Sequence, residues 1–411
     1  MRFDGRKDIP VTHPEDESLP RIPLPREGLF TVPSVYAQWR KQAPVREVAI
    51  RDDRTAWVIT RHQAVRDVLA EPATSANRLD PRFPNLRAGV VTLTPGSNLL
   101  HMDEPEHNRY RRMLLPEFTG RRIKDLRPVI QDFADRAVED LLQAERPADF
   151  WQQVGLPIPS QVICALLGIA YEHHELFERL TKRLLDVTTS AEDFQAALAE
   201  VQEFMRGQVA TQCESPGDGV IGRLVVDRLR KGELDEDRLV GFAMLLLIGG
   251  YETTAKMITL GMLTLLAHPE QADRLREDPE LMPAAVEDIL RLHSITDLTA
   301  PRLAVDDITV QGFLIPAGSG ILPLIGAANH DPEIFPDPAR FDPGRDSRGH
   351  LTFGAGSHGC LGQNLARAEL EIVLSTVLRR VPTLALAVPL ADVELDREAV
   401  VWGVKSLPVT W

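Results

Sequence analysis

Most of this chain carries apolar residues three and four positions apart, the spacing that gathers them on one face of a helix. This spacing predicts helices over residues 128–142, 192–208, 237–267, 283–292 and 361–380. Strand patterns are confined to residues 45–60, which alternate around an Asp52-Asp53 turn, and to residues 302–321, where glycine and proline break short β-branched runs. The pattern therefore predicts a mainly α fold with a small β portion.

Neither an internal repeat nor a low-complexity linker divides the chain. We therefore expect a single large helical domain over residues 31–411, preceded by an extended lead-in over residues 1–30. Residues 327–350 are rich in proline and aspartate and show little regular pattern. Because a long irregular segment is uncommon inside a compact domain, we expect it to wrap a feature that needs covering.

Composition and charge exclude several classes of protein. The formal net charge of −14 over 411 residues argues against binding to nucleic acid or to an anionic membrane surface. The three cysteines, Cys164, Cys213 and Cys360, are widely spaced, which argues against a disulfide framework and fits a reducing cytoplasm. The longest apolar run, residues 242–248, is too short to cross a bilayer. We expect a soluble cytoplasmic protein that acts as a monomer.

The strongest chemical pattern is the glycine-rich loop over residues 353–362, which reads FGAGSHGCLG and runs directly into a predicted helix. If Cys360 ligates iron, the glycines let the backbone approach a flat macrocycle. The free N–H groups and the positive end of the helix would face the sulfur and lower its pKa. Phe353 can shield the sulfur from water, and His358 is placed to meet a haem propionate. A thiolate ligand on haem iron favours O–O cleavage.

The alternative for this loop is a glycine-rich helix cap with an incidental cysteine. The complete F-x-x-G-x-H-x-C-x-G pattern, from Phe353 to Gly362, disfavours that alternative. With this pattern the sequence resembles the cytochrome P450 family, specifically its soluble bacterial branch, from about Val35 to the C-terminus. The resemblance implies the cytochrome P450 fold and haem b as cofactor, with the Cys360 thiolate as the axial ligand.

The predicted helix over residues 237–267 has a defect at its centre, where the sequence reads LIGGYETT over residues 247–254. Two adjacent glycines inside a helix cost roughly 1–2 kcal/mol relative to alanine. One interpretation is a helix crossing that requires small residues; the other is that the two glycines, Gly249 and Gly250, leave room for haem and O2. Thr253 lies four residues after Gly249, so its hydroxyl can donate to that carbonyl.

The same run resembles the family's oxygen-activation signature, A/G-G-x-D/E-T. The resemblance implies that Thr253 donates a hydrogen bond to the oxygen being activated and that Glu252 relays protons to it. An acid and a hydroxyl suit general acid catalysis of this kind.

Three further segments are candidates for binding the haem carboxylates. His107 and Arg111 are four residues apart and share a face of a predicted helix, and that motif resembles the family's propionate-binding helix. Arg302 stands where the family places another propionate arginine. Together with His358, these side chains can neutralise two carboxylates through charge-assisted hydrogen bonds.

The helix over residues 283–292 resembles the family's segment with a buried E-x-x-R pair. By that comparison the partner of Arg291 is position 288, where this chain has Asp288 rather than glutamate. The shorter side chain has to reach Arg291 and Arg340 through a small shift or a water. Glu287 is the rival partner, but it points about 100° away around the helix. We expect a buried structural network rather than catalytic residues.

The resemblance also implies where substrate binds. It places the pocket walls at residues 79–100, which we expect to form a mobile lid, and at residues 245–251, 295–300 and 400–402. The candidate pocket residues are Leu245, Ile295, Thr296, Asp297 and Val401. Asp297 either anchors a cationic or hydroxylated substrate or faces solvent.

Electrons must come from a separate partner, because the chain has no flavin or nicotinamide fingerprint. The resemblance gathers a basic patch near the cysteine loop, which suits docking of an acidic ferredoxin supplied by a ferredoxin reductase. The patch is made of Arg111, Arg112, Arg121, Arg122, Arg345 and His358.

Three functions fit these residues. The first is an O2-dependent monooxygenase that hydroxylates or otherwise oxidises a small organic molecule, as in the tailoring of a specialised metabolite. The second is a haem enzyme that uses peroxide, or couples radicals, without inserting oxygen. The third is a non-enzymatic haem sensor. Glu252 and Thr253 favour the first, because a proton relay is needed chiefly to activate O2.

Overall fold

The computed structural model describes residues 19–86, 98–186, 188–396 and 401–411. Within these ranges the helices are α1 (Val35–Gln42), α2 (His62–Leu69), α3 (Glu106–Leu114), α4 (Gly120–Gln143), α5 (Pro157–Leu167), α6 (His174–Leu185), α7 (Ala191–Glu214), α8 (Val220–Asp227), α9 (Glu236–Ala267), α10 (Pro269–Glu277), α11 (Met282–His293), α12 (Ile325–Asn329) and α13 (Gln363–Arg380). The strands are β1 (Val45–Ala49), β2 (Thr55–Ile59), β3 (Thr74–Ser75), β4 (Ala148–Asp149), β5 (Arg302–Ala304), β6 (Ile308–Val310), β7 (Phe313–Ile315), β8 (Gly320–Pro323), β9 (Ala385–Leu386), β10 (Leu395–Asp396), β11 (Gly403–Val404) and β12 (Pro408–Thr410). The mainly α fold with small sheets is the predicted class.

Helix α9 forms the centre of the molecule. It runs for 32 residues, and Asp235 caps its first turn by accepting a hydrogen bond of 2.8 Å from the Arg238 N–H. Beyond Tyr251 almost every side chain of α9 is buried, on all faces of the helix. Helices α5, α7, α11 and α13 pack around it. A helix that is buried all round is the core of a large domain.

The main sheet lies at one side of this helical core. Its strand order is β1-β2-β8-β5-β3, with β2 parallel to β8 and the other neighbours antiparallel. The β1–β2 hairpin turns at Asp52 and Asp53, which both adopt positive φ (57° and 52°). Aspartate tolerates this left-handed region better than most residues. The turn is therefore the one that the alternating pattern predicts.

All five predicted helices are present, with two differences at their starts. Helix α4 begins at Gly120, where Thr119 caps it, so Pro128 lies inside the helix rather than at its start. Helix α13 begins at Gln363, because Leu361 and Gly362 still belong to the turn that carries Cys360.

Part of the expected lead-in packs against the domain. The Ile22 N–H donates to the Ala49 carbonyl at 3.0 Å, and its side chain is buried. The Arg26 guanidinium donates to the carbonyls of His293 and Ser294 at 2.6 and 2.7 Å and lies 4.5 Å from the ring centre of Trp402. Residues 1–18 of the lead-in lie outside the described ranges.

The irregular stretch over residues 327–350 covers Arg291, which is completely buried. Backbone carbonyls of Asn329, Pro338 and Arg340 accept hydrogen bonds from its guanidinium at 3.1, 2.6 and 3.3 Å. The segment is irregular because its carbonyls turn inward to satisfy a buried cation rather than pairing in a ladder.

Asp288 is the carboxylate partner of Arg291, as the sequence register predicts. Its Oδ1 lies 2.7 Å from Arg291 Nε without a water or a shift. The prediction that Arg340 supplies the second guanidinium is wrong, because Arg340 contributes its carbonyl and Arg345 Nε lies 3.3 Å from Asp288. Glu287 belongs to another pair, with Arg367 at 2.5 Å.

No described helix is both long enough and apolar enough to span a membrane.

Candidate functional site

The cysteine loop is a tight turn that only glycine permits. Gly354 and Gly356 have positive φ (71° and 70°), and a Cβ on Gly356 would lie 2.6 Å from the carbonyl oxygen of Leu69. The Cys360 N–H donates to the Phe353 carbonyl at 2.8 Å and closes the loop. The sulfur therefore sits immediately before the first turn of α13.

The surroundings of the Cys360 sulfur shift the pKa of its thiol in opposite directions. Burial raises the pKa of the thiol, while the N–H groups of Gly362 and Gln363 and the charges of Arg111 and Arg367 lower it. The expected N–H donors are thus present and lower the pKa of the thiol as predicted, although burial raises it by more. A metal ion deprotonates a coordinating thiol outright, so iron itself would complete the thiolate.

Phe353 packs against a half-buried ion pair. The Arg367 guanidinium carbon lies 4.6 Å from the ring centre of Phe353, and Arg367 binds Glu287. Although burial opposes it, hydrogen bonds from His350 and Arg367 lower the pKa of Glu287 to about 2. Glu287 is therefore a carboxylate at neutral pH, and it fixes the aromatic ring beside the loop.

Six cationic or imidazole side chains lie close together next to the loop. They are Arg78, His101, His107, Arg111, Arg302 and His358. The rings of His107 and His358 stack with their centres 4.0 Å apart, and Arg111 donates to the Gly359 carbonyl at 2.5 Å. The four side chains that the sequence nominated for carboxylate binding are thus neighbours in space.

The electrostatics of this cluster show an excess of positive charge. Burial lowers the pKa of Arg302 to about 10, and burial and the surrounding positive groups lower that of His358 to about 3. The acid whose charge acts on Arg302 is Asp103, and its oxygens already accept hydrogen bonds from Ser75 and Ala76. Such a cluster fits an anionic ligand, and the two propionates of haem have the required charge.

Sequence reasoning missed Arg78 and His101. Arg78 is half-buried and donates to the Thr299 carbonyl at 3.3 Å. Burial and the charge of Arg78 lower the pKa of His101 to about 3. His101 lies only six residues before His107, so it could have been found as an extension of that motif. Nothing in the local sequence around Arg78 links it to the site.

The central glycines of α9 have different neighbours. A Cβ on Gly250 would lie 3.1 Å from Ile163 Cδ1 on α5, so this glycine serves the helix crossing. A Cβ on Gly249 would meet no described atom within 4 Å, which leaves open space in front of the helix. The helix-crossing interpretation therefore holds for Gly250, while Gly249 borders open space of the kind that the other interpretation requires. The Thr253 hydroxyl donates to the Gly249 carbonyl at 2.7 Å, as the four-residue spacing predicts.

Thr253 and Glu252 face different surroundings. Thr253 lies in the wall of a cavity, whereas the Glu252 side chain is buried and turned toward Lys256, with 3.5 Å between Oε1 and Nζ. Burial raises the pKa of Glu252, and the Lys256 charge opposes that rise. A carboxyl group with a raised pKa keeps its proton to a higher pH than a free carboxyl and can pass that proton on.

The cavity in front of α9 has a volume of about 610 Å³ and a mainly apolar surface. Its wall includes all five predicted pocket residues: Leu245, Ile295, Thr296, Asp297 and Val401. Helices α6 and α7 add a wall that the sequence did not predict, through Leu184, Leu185, Phe194, Leu198 and Gln202. Of the predicted lid over residues 79–100, residues 87–97 lie outside the described ranges, as does Val400.

Asp297 is already engaged by the protein. Its Oδ2 accepts from the Tyr36 hydroxyl at 3.1 Å and its Oδ1 from the Gly326 N–H at 2.6 Å. Burial raises its pKa, with the Arg26 charge opposing. The expectation that it faces solvent is wrong, and both of its oxygens have protein donors rather than being reserved for a substrate.

The predicted basic patch is smaller than expected. Arg345 is wrong as a member, because it is turned inward to Asp288, and Arg111 binds within the cysteine loop. Arg122 lies 3.8 Å from Glu117. Arg112 and Arg121 are both exposed. Asn364 donates to the Phe118 carbonyl at 3.2 Å, which places the start of α4 beside the start of α13.

Comparison with known proteins places the chain in one family. A family model described as Cytochrome P450 matches residues 170–384. Vitamin D3 dihydroxylase of Streptomyces griseolus is 42% identical over 98% of this chain and 99% of its own length. Pentalenic acid synthase of Streptomyces avermitilis is 41% identical over 98% of both chains. The crystal structure of mycinamicin VIII C21 methyl hydroxylase from Micromonospora griseorubida, bound to mycinamicin VIII, superposes with a TM-score of 0.91 at 38% identity and covers 96% of this chain and 100% of its own.

Proposed function

Because this chain belongs to the cytochrome P450 family and is a haem monooxygenase, we propose that it oxidises a bulky, uncharged and mainly apolar specialised metabolite. Haem b is its cofactor, with the Cys360 thiolate as the axial ligand. A single domain over residues 31–411 and a cytoplasmic location are part of the proposal; the three unpaired cysteines support the location.

The carrying observation is that the charged groups lining the cavity have protein or cofactor partners. Asp297 binds Tyr36 and Gly326, Asp396 binds Lys256 at 2.6 Å, and Arg26 binds backbone carbonyls. Arg78 and His101 belong to the cluster proposed for the propionates. In the described part of the wall, this leaves apolar side chains and a few neutral polar groups for the substrate.

The size of the cavity supports the same substrate class. The cavity of about 610 Å³ includes the space beside Arg78, His101 and Gly249 that is proposed for haem, and its volume as a whole lies within the range of roughly 300–1,000 Å³ that holds drug-sized ligands. Relatives named for vitamin D3 and mycinamicin VIII support a specialised metabolite rather than a small primary metabolite.

The proposal gives the haem propionates four protein partners: His107, Arg111, Arg302 and His358. It assigns Phe353 and Gly362 to shaping the side of the sulfur, and Gly249 to leaving room on the opposite side. Bound haem supplies the redox chemistry that activates O2. The protein supplies the proton: the Thr253 hydroxyl is fixed at the cavity wall by its bond to Gly249, and Glu252 is the proposed store from which the proton comes.

A ferredoxin, reduced by its reductase, is the proposed electron donor. Arg112 and Arg121 lie at the ends of α3 and α4 that flank the cysteine loop, and they are the cations left to meet an acidic partner.

Replacing Thr253 with alanine tests the proton role against a matched control. Thr253→Ala removes the hydroxyl at the cavity wall, so more of the electrons taken from NADPH should leave as peroxide, on the order of tenfold relative to product. Thr254→Ala removes a hydroxyl that donates to Gly250 at 2.9 Å and is buried in the helix packing, so the ratio of peroxide to product should stay near that of the native enzyme. Peroxide and product are measured together, with NADPH, ferredoxin and reductase.

Equal ratios in both variants would refute the proton role of Thr253. Turnover with added peroxide as fast as turnover with NADPH, unaffected by Thr253→Ala, would instead favour the peroxide-driven alternative. The substrate class is tested by titration with libraries of neutral and charged natural products. Spin-state shifts confined to charged compounds would overturn it.

A further inference from the structure

Lys256 is a buried cation in the middle of α9, and the proposed function does not use it. It follows Glu252 by one helical turn, and its side chain is 2% exposed. A buried ammonium group is costly unless several oxygens surround it. Apart from Glu252, whose spacing suits an ion pair along the helix, the neighbouring positions of α9 are apolar or carry hydroxyls.

Three oxygens meet the Lys256 ammonium group. Its Nζ lies 2.6 Å from Asp396 Oδ2, 2.9 Å from the Val401 carbonyl and 3.5 Å from Glu252 Oε1. The stem of the side chain runs over Gly403, where a Cβ would lie 2.8 Å from Lys256 Cδ. The β10–β11 segment is therefore built to admit this side chain.

Two of these partners belong to the cavity wall. Asp396 and Val401 both line the cavity, and Trp402 next to them does so as well. Glu252 lies next in sequence to Thr253, which lines the same cavity on α9. Lys256 thus connects the proposed proton store to the segment against which substrate would rest.

We propose that Lys256 is a positioning residue that holds the Glu252 carboxylate by its charge and ties it to the cavity wall through Asp396 and Val401. The inference rests on the proposed proton role of Glu252 and deepens it. Glu252 and Asp396 both lie beside the single ammonium group of Lys256 and compete for it. A change at either acid therefore alters the electrostatic surroundings of the other.

The charged groups that act on Glu252 come from three elements. Lys256 on α9 itself and Lys182 on α6 favour its charged form, while Asp396 on β10 disfavours it. Burial is the largest influence and raises the pKa of Glu252, and Lys256 is the first of the opposing groups. Removing Lys256 should therefore raise that pKa further, and removing Asp396 should lower it.

The decisive experiment compares thermal unfolding of the haem-loaded enzyme with that of Lys256→Met between about pH 5.5 and about pH 8. Methionine has a similar length and no charge. Without Lys256 the pKa of the buried Glu252 carboxyl lies still further above its value in the unfolded chain, so this group takes up a proton on folding. The variant then loses stability as the pH rises. The difference between its melting temperature and that of the native enzyme should grow by about 3 °C over this pH range.

Two matched variants complete the set. Lys182→Met removes an exposed cation that also acts on Glu252 and should give a difference nearly independent of pH. Placing Lys256→Met in a Glu252→Gln background should remove most of the pH-dependent difference, since the carboxyl on which the Lys256 charge acts is gone. A loss in Lys256→Met that is equal at all pH values is what packing alone would give, and it would overturn the proposal.

The pH profile of NADPH oxidation, with ferredoxin and reductase, separates this inference from the function it rests on. One limb of this pH profile should disappear in Glu252→Gln. The same limb should move to higher pH by about one unit or more in Lys256→Met, and to lower pH in Asp396→Asn. If Glu252→Gln leaves the profile unchanged, the proton role of Glu252 fails, while the melting temperatures still test the link to Lys256. If that limb exists and neither variant moves it, the inference about Lys256 fails alone.

Discussion

Replacing Asp288 with asparagine removes the charge of a completely buried carboxylate beneath the cysteine loop. Three donors meet this carboxylate: Arg291 at 2.7 Å, the Ser347 hydroxyl at 2.6 Å and the Asp342 N–H at 2.8 Å; the Arg345 guanidinium adds an ion pair at 3.3 Å. The amide of asparagine has one acceptor oxygen in place of two, and it leaves the fully buried Arg291 without its counter-ion.

The expected cost follows from that burial. Breaking a buried ion pair by neutralising one partner costs about 3–5 kcal/mol, out of a total stability of about 5–15 kcal/mol for a typical domain. The same segment leads into the cysteine loop: the Thr352 hydroxyl donates to the Leu290 carbonyl at 2.8 Å, just before Phe353. Asp288→Asn should therefore lower both the urea midpoint of unfolding and the fraction of haem retained at that midpoint.

Urea unfolding is followed by tryptophan fluorescence and by haem absorbance on the same samples. The matched control is Asp346→Asn, which neutralises an acid of the same segment whose pair with Arg348 is exposed on both sides (64% and 81%). The control should leave the midpoint unchanged. Equal midpoints for Asp288→Asn and Asp346→Asn would refute the reasoning that the buried network supports the loop.

Two further predictions concern buried acid and surface charge. Burial raises the pKa of Glu369 on α13 well above its usual 4.5. The native state therefore holds a proton on this side chain that the unfolded chain gives up. As a result, the free energy of unfolding falls by about 1.4 kcal/mol per pH unit above about pH 4.5, until the native pKa is reached. The urea midpoint of Glu369→Gln should therefore rise relative to that of the native chain as the pH increases, and parallel midpoints would contradict the buried, protonated state. Arg121→Glu should slow reduction by an acidic ferredoxin by about tenfold at low salt in stopped-flow measurements, with the difference fading at high salt; a loss independent of salt would argue against electrostatic docking at this surface.

The sequence could predict those features that depend on local spacing. The five helices, the hairpin turn at Asp52 and Asp53, and the bond from Thr253 to Gly249 all follow from residues close together in the chain. The pairing of His107 with Arg111 on one helix face is of the same kind. Periodicity and a four-residue spacing are enough to place such groups.

Features that depend on contacts between distant segments were not predictable in this way. Lys256 and Asp396 are 140 residues apart, and Arg78 and Thr299 are 221 apart. The exchange of Arg340 for Arg345 arises because residues 327–350 follow no regular period, so the sequence does not tell which arginine turns inward. The net pKa of Cys360 depends on burial, which a motif does not reveal.

The carbon monoxide difference spectrum of the reduced, haem-loaded protein tests the central claim most directly. If the Cys360 thiolate is the axial ligand, the native protein shows the red-shifted Soret band characteristic of its family, and Cys360→Ser loses that band while its far-ultraviolet circular dichroism stays helical. A well-folded native protein that shows only the shorter-wavelength band of a histidine- or thiol-ligated haem, or a Cys360→Ser variant that keeps the red-shifted band, would contradict the account.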